Sequence, residues 1–144
     1  MKVFLGGTCG KSTWRSDIIP MLDAKNIDYF NPVVDDWDDL AQKEEIKQRE
    51  ICDIVLYTIT SEMEGVYSIA EVVDDSHKKP DRTVLCVLPE GFSEGSLKSL
   101  KQVSVMVERN GSKSFNNLEA VVDYLVEESE EVVDENQDYL VEEI

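Results

Sequence analysis

Residues 53–75 read DIVLYTITSEMEGVYSIAEVVDD, and this stretch decides the fold. Asp53–Thr60 is almost continuously apolar, the pattern of a strand buried on both faces of a parallel sheet. A short polar turn through Ser61–Gly65 leads into helical periodicity over Val66–Lys79, which Pro80 ends. Ser68 and Glu71 stand three apart and so share a helix face. The strand–turn–helix order lifts both to the carboxyl end of the sheet, where open α/β sheets bind ligands. A carboxylate at the mouth of that crevice is a candidate nucleophile or general base. The plainer alternative is a glutamate decorating an exposed helix face.

Working outward, the same alternation repeats. Lys2–Gly7, KVFLGG, reads as a first strand ending in glycines. Ser12–Lys25 follows as a helix with Ile18, Ile19, Met21 and Leu22 on one face, and Pro20 must fall in its first turn or kink it. Asn26–Pro32 is a short second strand closed by Asn-Pro, and residues 33–39 form an acidic loop carrying Trp37. Leu40–Ile51 is a charged helix with Glu45 and Arg49 at supporting i,i+4 spacing. Arg82–Leu88 is a fourth strand, Ser96–Val103 a short helix and Val103–Glu108, VSVMVE, a fifth strand. Asn110-Gly111 turns the chain into a last amphipathic helix, Asn117–Glu128, with Leu118, Val121, Val122 and Leu125 inward. The pattern predicts an α/β fold: one doubly wound domain over residues 1–129, with a five-stranded parallel sheet and helices on both faces. An acidic tail, 130–144, follows.

With 144 residues the chain is long enough to bury a real core in one domain. No apolar run approaches the roughly 18–20 residues of a membrane span, and the N-terminal apolar stretch is too short for a signal peptide, so a cytoplasmic location is expected. The formal net charge of −17 repels phosphate at long range and argues against nucleic-acid polymers and anionic membranes as partners. Residues 127–144 hold nine acids and no Lys or Arg. The tail reads as a solubilising segment, the other reading being that Val132, Val133, Tyr139, Leu140, Val141 and Ile144 dock on a subunit or partner. Cys9, Cys52 and Cys86 form no CxxC pair, and the single His77 lies in a polar helix end, so neither a zinc set nor a Cys–His pair is indicated.

Three loops at the carboxyl ends of the strands bear candidate ligand residues. Gly6–Arg15, GGTCGKSTWR, fails the G-x-x-x-x-G-K-[ST] spacing because Leu5 occupies the first glycine position. A glycine-rich loop entering a helix still suits one anion, with Thr8, Ser12 and Arg15 near enough to assist. The second loop, from Asn31 to Asp39, contributes Asn31, Asp35, Asp36 and Trp37: one aspartate for a sugar hydroxyl and an indole for stacking, the plainer alternative being a solvated acidic turn with Trp37 folded onto the domain. The third brings Asp53, Tyr57, Glu64 and Glu71 together. Carboxylates meeting in a crevice drive one pKa up while another stays ionised, the division of labour of glycosidic chemistry.

With those residues assembled, the chain resembles the nucleoside 2-deoxyribosyltransferase-like family. The resemblance is carried by KVFLGGT and STWR at the start, DYFNPVVDDW after the second strand, CDIVLY, and GVYSIAEVVDDS around the glutamate, over roughly residues 1–90. It implies a flavodoxin-like domain and a glutamate that attacks C1′ of a deoxyribonucleoside. By position Glu71 matches that nucleophile, Asp53 opens the family's third strand, and Gly6-Gly7-Thr8 matches the sugar- or phosphate-side loop. The family's acid about six residues before the glutamate falls on Gly65, so the base proton passes to Glu64 or Asp36. The resemblance also implies a homo-oligomer in which a neighbouring subunit completes the pocket.

Two functional classes follow. One is an N-glycosidic enzyme, a deoxyribosyltransferase or a deoxynucleoside 5′-monophosphate hydrolase, with Glu71 as nucleophile, Ser68 and Tyr57 orienting it or the sugar, Gly6, Gly7, Thr8, Ser12 and Arg15 around the 5′ end, and no metal or other cofactor. The other is a non-catalytic protein that sequesters a nucleotide. A plain interaction module acting through its acidic surface is a third possibility.

Overall fold

The computed structural model describes the backbone of residues 1–142 and the side chains of residues 1–131. Ten main elements alternate strictly: β1 (Lys2–Gly7), α1 (Trp14–Ala24), β2 (Asp28–Phe30), α2 (Asp39–Ile51), β3 (Ile54–Ile59), α3 (Tyr67–Lys78), β4 (Thr83–Val87), α4 (Glu94–Arg109), β5 (Lys113–Phe115) and α5 (Leu118–Glu142). The strands form one parallel sheet in the order β2-β1-β3-β4-β5. β3 lies at the centre and every residue of it is buried, as a strand covered on both faces requires.

Alternate side chains of the central strands feed two cores, the period-two consequence of the pleat. Val3, Leu5, Ile54, Leu56, Val84 and Cys86 face α1 and α5, where they meet Trp14, Ile18, Leu22, Val121 and Leu125. Phe4, Val55, Tyr57, Ile59 and Leu85 point the other way, to Val72 of α3 and to Leu100 and Val107 of α4. Helix ends follow their sequences. Asp38 caps α2 by accepting from the Ala41 N–H at 2.8 Å, Ser93 caps α4 through the Ser96 N–H at 3.1 Å, and Asn117 accepts from the Ala120 N–H at 2.7 Å. Asn26, with φ 56°, closes α1 in the left-handed conformation that asparagine tolerates.

One element differs from the expectation. Val103–Glu108 is not the fifth strand but the end of the 16-residue α4, and β5 is the short Lys113–Phe115. A strand would bury Val103, Val105 and Val107 together. The chain instead buries Leu100 and Val107 with Val103 packed beside them, and leaves Val105 and Met106 about 45% exposed. That is helical spacing, and packing on one face overrides the modest helix penalty of β-branched residues. Pro20 sits inside α1, beyond its first turn. The backbone of the expected tail, from 130 to Glu142, continues α5, and the docking residues expected there lie outside the described side chains. No helix among the described residues is long and apolar enough to cross a membrane.

Candidate active site

The strand order reverses between β1 and β3, and ligands of open α/β sheets bind outside the carboxyl ends of the strands at that switch. A cavity of about 310 Å³ lies there. Its floor is Gly6, Gly7 and Tyr57; Val33, Val34 and Trp37 form one wall; Glu45 of α2 and Glu71 of α3 supply its carboxylates, with Ser68, Cys9 and Arg15 at the edge. A smaller chamber of about 170 Å³ shares Gly7, Cys9 and Ser68 and is bounded by Thr8, Met63, Glu64 and Tyr67. A larger apolar groove, about 950 Å³, runs between α3 and α4, away from the switch, with Asp74 its only carboxylate.

Gly7 of the floor is required by geometry. It adopts φ +118°, and a Cβ there would lie 2.1 Å from the Thr58 carbonyl oxygen, whereas a Cβ on Gly6 would stand 3.2 Å from its nearest neighbours. Only glycine lets the end of β1 lie this close to β3 at Thr58, which allows the Thr8 N–H to reach the Thr58 carbonyl at 2.8 Å.

Glu71 is half-buried and bound to Arg49: Nη1 stands 3.1 Å from Oε2. The same guanidinium holds Asp75, with Nε donating to Oδ2 at 3.2 Å and Nη2 to Oδ1 at 3.0 Å. The Tyr57 hydroxyl donates to Asp75 Oδ2 at 2.5 Å. Burial raises the Glu71 pKa; Arg49 opposes this, while the nearby charges of Glu45 and Asp75 add to it. Burial likewise raises the Tyr57 phenol, reinforced by its bond to the Asp75 carboxylate. Tyr57 therefore stays protonated, and its hydroxyl is committed to Asp75.

Of the residues expected at the site, Gly6, Gly7, Arg15, Trp37, Tyr57, Ser68 and Glu71 line the main cavity. Thr8 and Glu64 line the smaller chamber. The others are placed elsewhere. Asp53 stands at the amino end of β3, where its carboxylate accepts from the Lys2 N–H at 2.7 Å, and it lines neither chamber. It is no member of the site. Asp36 is exposed and lines neither chamber. Asn31 accepts from the Val33 N–H at 3.1 Å and shapes its own loop. Ser12 faces Thr60, whose hydroxyl is 3.2 Å from its own.

Arg15 has a different role from the one expected. Its guanidinium, buried and stacked on Trp14 at 4.5 Å, donates to the carbonyls of Leu5 (3.0 Å), Thr8 (2.7 Å) and, at longer range, Gly7 (3.5 Å). Those bonds fix the first loop from beneath. Trp14 is a core residue, its indole N–H donating to the Thr8 carbonyl at 2.8 Å.

Glu45, Arg49, Asp75 and Cys9 were not singled out as site residues. A signal for the first three existed: Glu45 and Arg49 share a face of α2, and Glu71 and Asp75 share a face of α3. Expected to pair within α2, Arg49 instead reaches across to α3, while Glu45 accepts from the Trp37 indole at 3.3 Å.

A 2-1-3-4-5 parallel sheet flanked by helices, with a carboxylate-lined cavity at its switch point, defines a flavodoxin-like α/β domain. Residues 1–90 match the family described as nucleoside 2-deoxyribosyltransferase like, and the chain belongs to that family. No curated protein matches. Among solved structures, a 2-deoxyribosyltransferase from the psychrotolerant bacterium Bacillus psychrosaccharolyticus has a similar fold: TM-score 0.58, 14% identity, over 86% of this chain and 92% of that one.

Proposed function

We propose that this chain breaks and remakes the N-glycosidic bond of a 2′-deoxynucleoside, with Glu71 as the nucleophile. The observation that supports it is the position of Glu71, half-buried in the switch-point cavity and held by a cation through Oε2. Attack of a Glu71 oxygen on C1′ forms a C–O bond while the C1′–N bond breaks. The electron pair goes to the base nitrogen, which takes a proton. A second base, or water, then attacks C1′, the C–O bond breaks and the carboxylate is restored. Splitting one displacement into two lowers each barrier.

Of the two acids expected to handle the base proton, Glu64 borders the smaller chamber and Asp36 borders neither, so Glu64 takes that role. Trp37, 57% exposed at the cavity wall, offers a stacking face for the base. The surroundings suit an uncharged 5′-hydroxyl better than a 5′-phosphate. Arg15 is the only Lys or Arg among the residues lining either chamber, and it is bonded to backbone carbonyls, while Glu45 and Glu71 are acidic.

The test is base release. Purified protein is incubated with each deoxynucleoside and deoxynucleoside monophosphate, with and without a second free base, and products are followed by chromatography. Base exchange that is lost in Glu71→Ala, with the fold intact by circular dichroism, is the expected result. Undiminished release by Glu71→Ala overturns the assignment of the nucleophile.

A further inference from the structure

The cluster behind Glu71 carries an inference that deepens this proposed activity and rests on it. A carboxylate paired with arginine normally engages it fork to fork, both oxygens taken by two parallel N–H groups. Such a carboxylate is a poor nucleophile, because neither oxygen is free. At this site the two-pronged contact is made with the other acid: Arg49 gives Nε and Nη2 to Asp75 and turns only Nη1 toward Glu71. Asp75 is itself fixed. Its side chain is 4% exposed, the Tyr57 hydroxyl donates to it at 2.5 Å, and Lys79 Nζ, which donates to the Arg49 carbonyl at 2.9 Å, lies 3.9 Å from Oδ1.

We propose that Asp75 is a positioning residue, which occupies the fork of Arg49 so that Glu71 is held through Oε2 alone and Oε1 is left to attack C1′. Arg49 supplies one point of attachment, enough to fix the carboxylate without capturing it. Tyr57 orients Asp75 and acts two contacts away from the reaction. The groups facing Glu71 are few: Arg49 and Glu45 from α2, Asp75 one turn along α3, Tyr57 from β3, and Cys9 and Arg15 across the cavity.

The two halves of the clamp predict opposite effects. In Asp75→Asn, Glu71 loses a neighbouring negative charge and Arg49 becomes free to fork onto it. Ionised Glu71 is thereby favoured, so its titration and the acid limb of kcat move to lower pH, while kcat falls about 100-fold, the scale of a misplaced reacting group, with KM within about threefold. In Arg49→Met the carboxylate loses its cation and both limb and titration move to higher pH. Arg49→Lys restores the charge without the fork, returning the titration toward wild type but not kcat.

The experiment pairs kcat–pH profiles of base release with an NMR titration of the Glu71 carboxyl in the ligand-free proteins. Opposed shifts in Asp75→Asn and Arg49→Met, with kcat lost in the former, are expected. Shifts in the same direction, no shift in either, or full kcat in Asp75→Asn overturns the proposal. Loss of Tm alone moves none of these readouts. Were the wild type to release no base, the glycosidic reading would fall, and the titration would still decide whether Asp75 and Arg49 set the state of Glu71.

Discussion

Replacing Arg15 by methionine separates two roles that an arginine beside a ligand cavity can have. The structure makes Arg15 a brace: its guanidinium carries two well-formed bonds to the carbonyls of Leu5 and Thr8, a longer one to Gly7, and a stack on Trp14. A bond from a charged donor contributes about 1.5–3 kcal/mol, so the two short ones together reach about 3–6 kcal/mol. The Thr8 carbonyl keeps its bond from the Trp14 indole, which reduces the loss. Burial also holds the Arg15 pKa below its ordinary value, so removing the charge recovers part of its desolvation penalty. The net expectation is a destabilisation of about 2–4 kcal/mol. It is read as a lower urea midpoint with an unchanged m-value. Arg15→Lys keeps the charge but not the fork and should lose more than half as much. A methionine variant within about 0.5 kcal/mol of wild type, with selectively weakened binding of 5′-phosphorylated nucleosides, would refute the brace and restore Arg15 as a ligand residue.

Two more outcomes follow from the same loop. Gly7→Ala places a Cβ 2.1 Å from the Thr58 carbonyl at φ +118° and should cost about 2–4 kcal/mol in chemical denaturation; a variant as stable as wild type would show that the end of β1 does not lie so close to β3. Of the three thiols, Cys9 is exposed while Cys52 and Cys86 are buried, and burial raises both of the latter, Cys86 to about 12. Ellman's reagent should therefore titrate one thiol quickly in the native protein and three after unfolding, and a second fast thiol would contradict the packing of Cys52 or Cys86.

Much of the sheet could be read from the chain because burial on both faces leaves continuous apolar runs, as in residues 54–59, and because glycines and prolines punctuate the ends. VSVMVE misled because three β-branched residues suit a strand locally, while the deciding fact, which side of α4 meets the sheet, is tertiary. The position of Glu71 was legible, since strand, turn and helix order alone put it over the crevice. The same order already puts Asp53, which opens the run, at the amino end of its strand and away from the crevice, so its exclusion was legible as well. Arg15 and Arg49 show a different limit. Long flexible cations reach partners on other elements, one turning under its own loop and the other crossing from α2 to α3, and neither direction is encoded in local spacing.

Every side chain lining the two chambers lies between Phe4 and Glu71, and the clamp behind them ends at Lys79. Among the described residues, β4, α4, β5 and α5 contribute none to either chamber; β4 and β5 complete the sheet, and α4 and α5 pack on it through Leu100, Val121 and Leu125. Damage to this molecule therefore sorts by address. A lesion in the front half can leave a well-folded protein that turns nothing over, whereas one among the described residues of the back half acts first on the supply of folded molecules. For redesign, new specificity is to be sought in the first eighty positions.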